Sequence, residues 1–380
     1  MVFGADTAKL TGGEVKAFGG TKALVFFGGG SAVKSGVLDV VTKSLSDEGI
    51  AYFLVGGVSP NPLAEFVQQA VDDYRDKGID FIIGVGGGSV LDTAKVVAHG
   101  LAAPDTPIWD FMCAKVDIRD SLPVGAVLTI AAAGSETSDS AVLTSRMTGV
   151  KRGIRTYYNR PKFAVMDPVL TYSLPPRQTA CGIIDILMHT LDRYFAPETD
   201  NAVTDELAEA IMRIAIHYGN EVIEKPDDYR ARSELMWAGS VSHNSLTSLG
   251  TTPDFAVHQL GHALSAKYDL PHAESLSIAW PAWARYVYRI NVPRFAKYAG
   301  KVWGIAVEDD EAAAVAGINT TEEFFRSLGA PVRLTEAVGD SAKDDIDHIV
   351  QHCTYNGART IGSFLVLDAQ KIRDIYLSAL

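Results

Sequence analysis

The chain has 380 residues, enough for two domains of ordinary size. It is 47% hydrophobic and 21% charged, an ordinary soluble balance, and its formal net charge of −12 argues against a nucleic-acid surface. No apolar run approaches a membrane span, Met1–Asp6 lacks the regions of a signal peptide, and Cys113, Cys181 and Cys353 have no metal or redox spacing, so a cytoplasmic protein is expected.

Ala23–Phe27 is an apolar run closed by Gly28-Gly29-Gly30-Ser31, which reads as a buried strand entering a glycine turn. A helix is expected over Ala32–Leu45, a second strand over Ile50–Val55 and a helix over Pro62–Lys77, stopped by Gly78. A third strand, Asp80–Val85, again meets glycines and a serine, Gly86-Gly87-Gly88-Ser89, before a helix over Val90–Ala98. Two more strands are expected at Val124–Ile130 and Lys162–Met166. Strands alternating with helices predict a mostly parallel, Rossmann-like α/β sheet with helices on both faces. Beyond Pro175-Pro176 helical runs dominate: 178–195, 200–224, 229–246, 254–267, 273–288, 293–302, 320–327 and 369–378. The expected division is therefore an α/β dinucleotide-binding domain over residues 1–177 and an all-helical metal-binding domain over 178–380. The charge run Glu308–Glu311 reads as a solvated loop or a helix start.

Glycines let the backbone approach a ligand closely, and free N–H groups at a following helix start favour a phosphate. The spelling is not the G-x-G-x-x-G fingerprint. Two such turns at strand ends of one sheet nevertheless point to a dinucleotide. Asp92, in the helix after the second of these turns, could bond a ribose or cap its own helix.

Asp185 and His189 lie four residues apart in an apolar helical run, so both point the same way. His258 and His262 repeat that spacing, and His272 follows a proline at an expected helix start. A carboxylate and imidazoles on apolar helix faces suit a divalent cation. The thermolysin arrangement is excluded, because Gln259 stands where its glutamate base is required. His99, His217, His243, His348 and His352 read as ordinary core or surface histidines. Trp237, Phe255 and Leu260 could line an aldehyde pocket, with core packing the better reading for each.

These pieces together resemble the iron-containing (group III) alcohol dehydrogenase family, and within it the butanol dehydrogenase-like, NADPH-dependent aldehyde reductases. The matching stretches are Phe27–Ser31, Val85–Asp92, Leu128-Thr129 through Glu136, Asp167-Pro168 through Gln178, Asp185–Thr190, and His258–His262 to Glu274. The resemblance implies the fold shared with dehydroquinate synthase, with nucleotide and metal on opposite walls of an interdomain cleft. It implies metal ligands at Asp185, His189, His258 and His272, and a substrate-side histidine, off the metal, at His262. It implies cofactor contacts at Gly28, Gly29, Ser31, Gly87, Gly88, Ser89, Asp92, Thr129, Ser135, Ser138 and Lys151; the glycine turns themselves add Gly30 and Gly86, and the first helix start adds Lys34. Cys181 departs from the family by standing where an asparagine is common.

The implied reaction is hydride transfer between a nicotinamide and a small alcohol or aldehyde polarised by the metal, with the proton moving through His262, a ribose hydroxyl or water. Iron(II) is the favoured metal and zinc the alternative. NAD-using relatives carry an aspartate in the turn after the first strand. Gly28–Ser31 has none, and Ser31 and Lys34 are suited to a 2′-phosphate, so NADP(H) is expected. A homodimer through the first domain is also implied. The rival is an NAD-using dehydroquinate synthase-like or glycerol dehydrogenase-like enzyme. The first of these wants a Lys and Arg cluster near the metal, where the sequence offers Arg193, Lys267 and little else.

Overall fold

A computed structural model describes every residue except Thr199. The chain divides into two compact units, Met1–Pro175 with Lys225–Ser240, and Pro176–Glu224 with Val241–Leu380.

The first unit is built on eight strands: β1 Val2–Phe3, β2 Lys22–Phe27, β3 Ala51–Val55, β4 Phe81–Gly86, β5 Val124–Leu128, β6 Ser140–Ser145, β7 Val150–Arg155 and β8 Phe163–Met166. Six of them form a parallel sheet in the order β1-β8-β5-β4-β2-β3. The α/β expectation is met. β4 is buried along its whole length, because helices cover both faces and leave no reason for polar alternation. One face packs on helices Ala64–Tyr74 and Gly88–Ala102 through Leu24, Ile82, Val71 and Val97. The other packs on helix Val37–Asp47 through Val25, Ile83, Val41 and Leu45. β3 pairs only with β2 among the described residues, and its Tyr52, Phe53 and Leu54 are all more than a third exposed.

Several expectations are corrected. The helix over Ala32–Leu45 is two helices, Ser31–Lys34 and Val37–Asp47, broken at Gly36, whose φ of 76° is left-handed. β6 and β7 form an antiparallel hairpin that was not expected. Helices Thr11–Ala17, Ile108–Met112 and Ile346–Cys353 were also unexpected. The helix expected from Thr320 begins at Asp310, because Asp309 accepts the Ala312 N–H at 2.8 Å and caps it. The charge run is thus a helix start. The stretch 225–240 joins the first unit through Met236, which packs on Leu91, Ala126 and Leu128, and through Ser240 Oγ, which donates to the buried Glu136 carboxylate.

The second unit is helical. Pro176–Tyr194 packs against Ala202–Glu224, where a Cβ at Gly219 would lie 2.8 Å from Ile183 Cγ2. The absence of a side chain there sets how closely the two helices approach. Arg294 grips both Asp205 oxygens, at 2.5 and 2.7 Å, in a buried bidentate pair. Phe195 stacks on Phe295 with ring centroids 4.2 Å apart. No helix among the described residues is long and apolar enough to cross a membrane.

Candidate metal centre and nucleotide-binding turns

Three helices of the second unit carry the expected metal ligands. Asp185 and His189 sit on Pro176–Tyr194, His258 on Ala256–Tyr268, and His272 is the first residue of His272–Val287. One ligand atom from each of the four lies within 4.8 Å of the others. His189 Nε2 is 3.4 Å and His272 Nε2 3.9 Å from Asp185 Oδ1. Asp185, His189 and His258 are buried, and His272 is partly open.

Gly261 allows this convergence. A Cβ there would lie 2.8 Å from Leu276 Cδ2 and 2.9 Å from Ser275 Oγ, so only glycine lets the two helices close around the site without a shift. Ser265 Oγ donates to Ser275 Oγ at 3.0 Å beside that contact.

The donor set suits a divalent cation. His258 Nδ1 contacts Asp192 Oδ2 at 2.6 Å, and the same oxygen accepts the His258 N–H at 3.2 Å. A carboxylate can only accept, so Nδ1 carries a proton, and in the neutral imidazole Nε2 keeps a bare lone pair. That buried Nε2 has no hydrogen-bond partner among the described residues. A buried, unpaired imidazole nitrogen facing a carboxylate and two further imidazoles is satisfied by a cation. The His189 imidazole is held well below its ordinary pKa, first by burial and then by the neighbouring His243, His258 and Arg193, so it stays neutral and able to ligate. Cys181, one turn before Asp185, is not among the residues whose ligand atoms converge, and burial pushes its thiol up to about 12.

His262 lies beside the four, its ring centroid 6.4 Å from His258 and 5.3 Å from His272. Leu260 is fully buried and packs in the core as expected. Trp237 is 42% exposed, which corrects the core-packing expectation for it. Two supporting residues were not anticipated. Asp192 completes an i, i+4, i+7 series with Asp185 and His189 on one helix face, a spacing that could have revealed it. His243 had been read as an ordinary histidine, yet its Nδ1 lies 2.9 Å from His189 Nδ1. No local spacing signals that contact.

In the first unit, β2 and β4 are neighbours in the sheet, and the chain leaves them in opposite directions, to β3 and to β5. That is a topological switch point, where ligands of open α/β sheets bind. The turns Gly28–Ser31 and Gly86–Ser89 follow those two strands, and Thr129, whose N–H donates to Gly86 O at 3.1 Å, follows β5. The carboxyl edge thus gathers Gly28, Gly29, Gly30, Ser31, Gly86, Gly87, Gly88, Ser89 and Thr129.

The two helix starts are unequal. Gly88–Ala102 has 15 residues and a full dipole at its N-terminus, whereas Ser31–Lys34 is a single turn. Lys34 is exposed at the end of that turn. Asp92 does not cap its helix: one oxygen accepts from Ser135 Oγ at 2.7 Å and the other from Val142 N at 2.9 Å. Ser135 and Ser138 turn their side chains inward, onto the buried Lys95 ammonium at 2.9 and 3.3 Å. Lys95 also donates to Ser135 O at 2.6 Å and Ser140 O at 2.9 Å, and burial lowers it to about 8. Sequence reasoning missed Lys95, which ties this loop to the helix after β4. Lys151, on β7, donates to Asn61 Oδ1 at 2.8 Å.

Of the basic residues near the metal positions, Arg193 donates to His189 O at 2.6 Å and Lys267 pairs with Asp345 at 2.8 Å. Both are engaged within the fold.

Comparison with known proteins agrees with this layout. Residues 1–168 match the model of the iron-containing alcohol dehydrogenases, and residues 179–380 the C-terminal model of the same family. The chain is 37% identical over 378 residues to NADH-dependent butanol dehydrogenase A of Clostridium acetobutylicum, covering 99% of this chain and 96% of that enzyme. It is also 37% identical over 317 residues to the NADPH-dependent aldehyde reductase YqhD of Escherichia coli, covering 83% and 81% of the two. The crystal structure of NADH-dependent butanol dehydrogenase A from Thermotoga maritima superposes with a TM-score of 0.95 at 36% identity, covering all of this chain and 96% of that one. By both halves of its length, this chain belongs to the iron-containing alcohol dehydrogenase family.

Proposed function

We propose that the protein is a metal-dependent alcohol dehydrogenase, working as an aldehyde reductase, that moves hydride between a nicotinamide dinucleotide and a small alcohol or aldehyde. The observation that carries this reading is the four-ligand cluster of Asp185, His189, His258 and His272, with its unpaired His258 Nε2. Relatives whose names specify butanol dehydrogenase and aldehyde reductase support the substrate class. Residues 178–380, apart from the stretch 225–240, supply the metal-binding part, and residues 1–177 the dinucleotide-binding part.

Asp185 and the three imidazoles would hold one divalent ion, iron(II) in preference to zinc. Bound there, the ion supplies Lewis-acid polarisation of a carbonyl oxygen. His262 stands beside the ligands without joining them, and is assigned the proton transfer to the substrate oxygen. Gly28–Ser31, Lys34, Gly86–Ser89 and Thr129 are assigned to direct contact with the nucleotide, and Asp92, Ser135, Ser138 and Lys151, whose side chains bond within the first unit, to shaping the loops around it. A cytoplasmic homodimer through the first unit completes the proposal, supported by the exposed edge of β3.

NADP(H) is the proposed cofactor, because no carboxylate stands in Gly28–Ser31 to repel a 2′-phosphate. The relatives divide, four being named for NADH and one for NADPH among the first five. The dehydroquinate synthase-like alternative loses support because Arg193 and Lys267 are already engaged.

The test is butanal turnover with NADPH and with NADH, before and after metal removal. Full activity in strong chelator would overturn the metal reading, and a preference for NADH would overturn the cofactor choice. Gly30→Asp sharpens the second arm, since a Cβ at Gly30 meets nothing within 4 Å and the change is one of charge. It should lower kcat/KM for NADPH by about tenfold, with much less effect on NADH.

A further inference from the structure

We infer that Arg193 and His243 hold His189 in the single tautomer whose Nε2 is bare toward the metal position. The inference rests on the metal-site reading above and adds a positioning function for two buried residues that touch neither metal nor substrate.

Arg193 sits one turn after His189 on the same helix, 3% exposed, with its guanidinium carbon 4.7 Å over the Phe255 ring. Its Nη1 donates to His189 O at 2.6 Å, and its Nη2 lies 3.1 Å from His243 Nδ1. A guanidinium has donors and no acceptor, and it keeps its charge in proteins. His243 Nδ1 must therefore accept and carries no proton. That same nitrogen is 2.9 Å from His189 Nδ1. Two bare ring nitrogens at that distance would repel, so the proton between them belongs to His189 Nδ1, and the single lone pair of His243 Nδ1 is divided between that N–H and the guanidinium. A neutral imidazole protonated at Nδ1 has its lone pair at Nε2, the atom that faces Asp185 Oδ1.

The direction of the chain is set by its fixed end. Arg193 cannot reverse its role, so His243 cannot, and His189 is left one tautomer. Asp192 does the same for His258 with an anionic acceptor at 2.6 Å. His189 instead has a neutral acceptor with a cation behind it. Its imidazole is therefore less electron-rich than that of His258, and the two ligands on neighbouring helices are tuned differently.

The experiment uses the whole protein loaded with Zn2+, which is diamagnetic, with 15N-labelled histidine. Long-range 1H–15N correlations should show His189 protonated at Nδ1 and His243 protonated at Nε2 only. A proton on His243 Nδ1 overturns the inference. In parallel, Zn2+ affinity is measured by chelator competition. His243→Leu removes the acceptor at similar volume and should weaken binding by about 10–100-fold. His243→Asn puts an amide oxygen near the Nδ1 position and should restore most of that affinity. Wild-type affinity in a folded His243→Leu, or an Asn variant as weak as Leu, overturns the inference. Should the Leu variant not fold, the spectrum of the wild-type protein decides by itself. A wild-type protein that binds no Zn2+ would mark failure of the metal reading itself, a different result.

Discussion

Asp192→Asn tests how much of the proposed metal site lies outside its ligands. Asp192 is 1% exposed, and its Oδ2 takes both the ring and the backbone N–H of His258, at 2.6 and 3.2 Å. An amide oxygen in that position can still accept both hydrogen bonds but loses the charge. A hydrogen bond to a charged group contributes about 1.5–3 kcal/mol and a neutral one about 1 kcal/mol. The difference, about 0.5–2 kcal/mol, corresponds to roughly a 2- to 30-fold loss of metal affinity. The upper part of that span overlaps the roughly 10–100-fold expected for outer partners of a ligating histidine. The assay is competition for Zn2+ with a chromophoric chelator, repeated anaerobically with Fe2+, alongside thermal melts of the metal-free proteins. Affinity equal to wild type in Asp192→Asn, with binding lost in His258→Ala, would refute the reasoning: Asp192 would then pack against His258 without tuning it.

Burial holds His99 down at about 4, despite the relief of its Nε2–H bond to Asn159 at 2.8 Å. Below about pH 6.5 the unfolded chain takes up this proton and the folded one does not. Stability from this group is therefore full above 6.5 and is lost as pH falls toward 4, by at most about 3 kcal/mol. Urea unfolding of metal-free protein at pH 7 and 4.5 should show that loss, and His99→Gln should reduce it; an unchanged pH slope in the variant counts against the assignment. Gly261→Ala should cost about 1–3 kcal/mol in overpacking against a helix-propensity gain of about 1 kcal/mol, and should also weaken Zn2+ binding, because it pushes His258 away from His272. A variant with unchanged melting temperature and affinity would show that the helices absorb the methyl group. Lys95→Met strips donors from Ser135 O and Ser140 O and leaves the buried Glu136 and Asp92 without their cation. It should destabilise the protein by about 3–5 kcal/mol in a denaturant titration, and a loss under about 1 kcal/mol would exclude that role.

Much of this architecture is legible in the sequence. β2, β4, β5 and β8 announced themselves as continuous apolar runs, because strands covered on both faces carry no polar alternation. Asp185 with His189, and His258 with His262, were visible as pairs because helical pitch alone puts residues four apart on one face. The hairpin of β6 and β7 was hidden by its composition. Ala141, Leu143 and Ser145 face inward, but the apolar Val142 stands on the outer face, the inward Ser145 is itself polar, and the basic β7 blurs the alternation further. The break at Gly36 was equally silent, since a single glycine is tolerated within many helices.

What the sequence by itself determined were quantities set by local geometry: the buried strands, the glycine turns and the Asp185–His189 and His258–His262 spacings. Only the tertiary structure decided which distant groups meet. It sent residues 225–240 back to the first unit, turned Ser135 and Ser138 onto Lys95, and set His243 between Arg193 and His189. Such contacts join residues tens of positions apart, and helix pitch and strand alternation impose no spacing on them. They follow from which helices and loops can close on one another, as at Gly261, where the lack of one side chain lets two ligand-bearing helices touch.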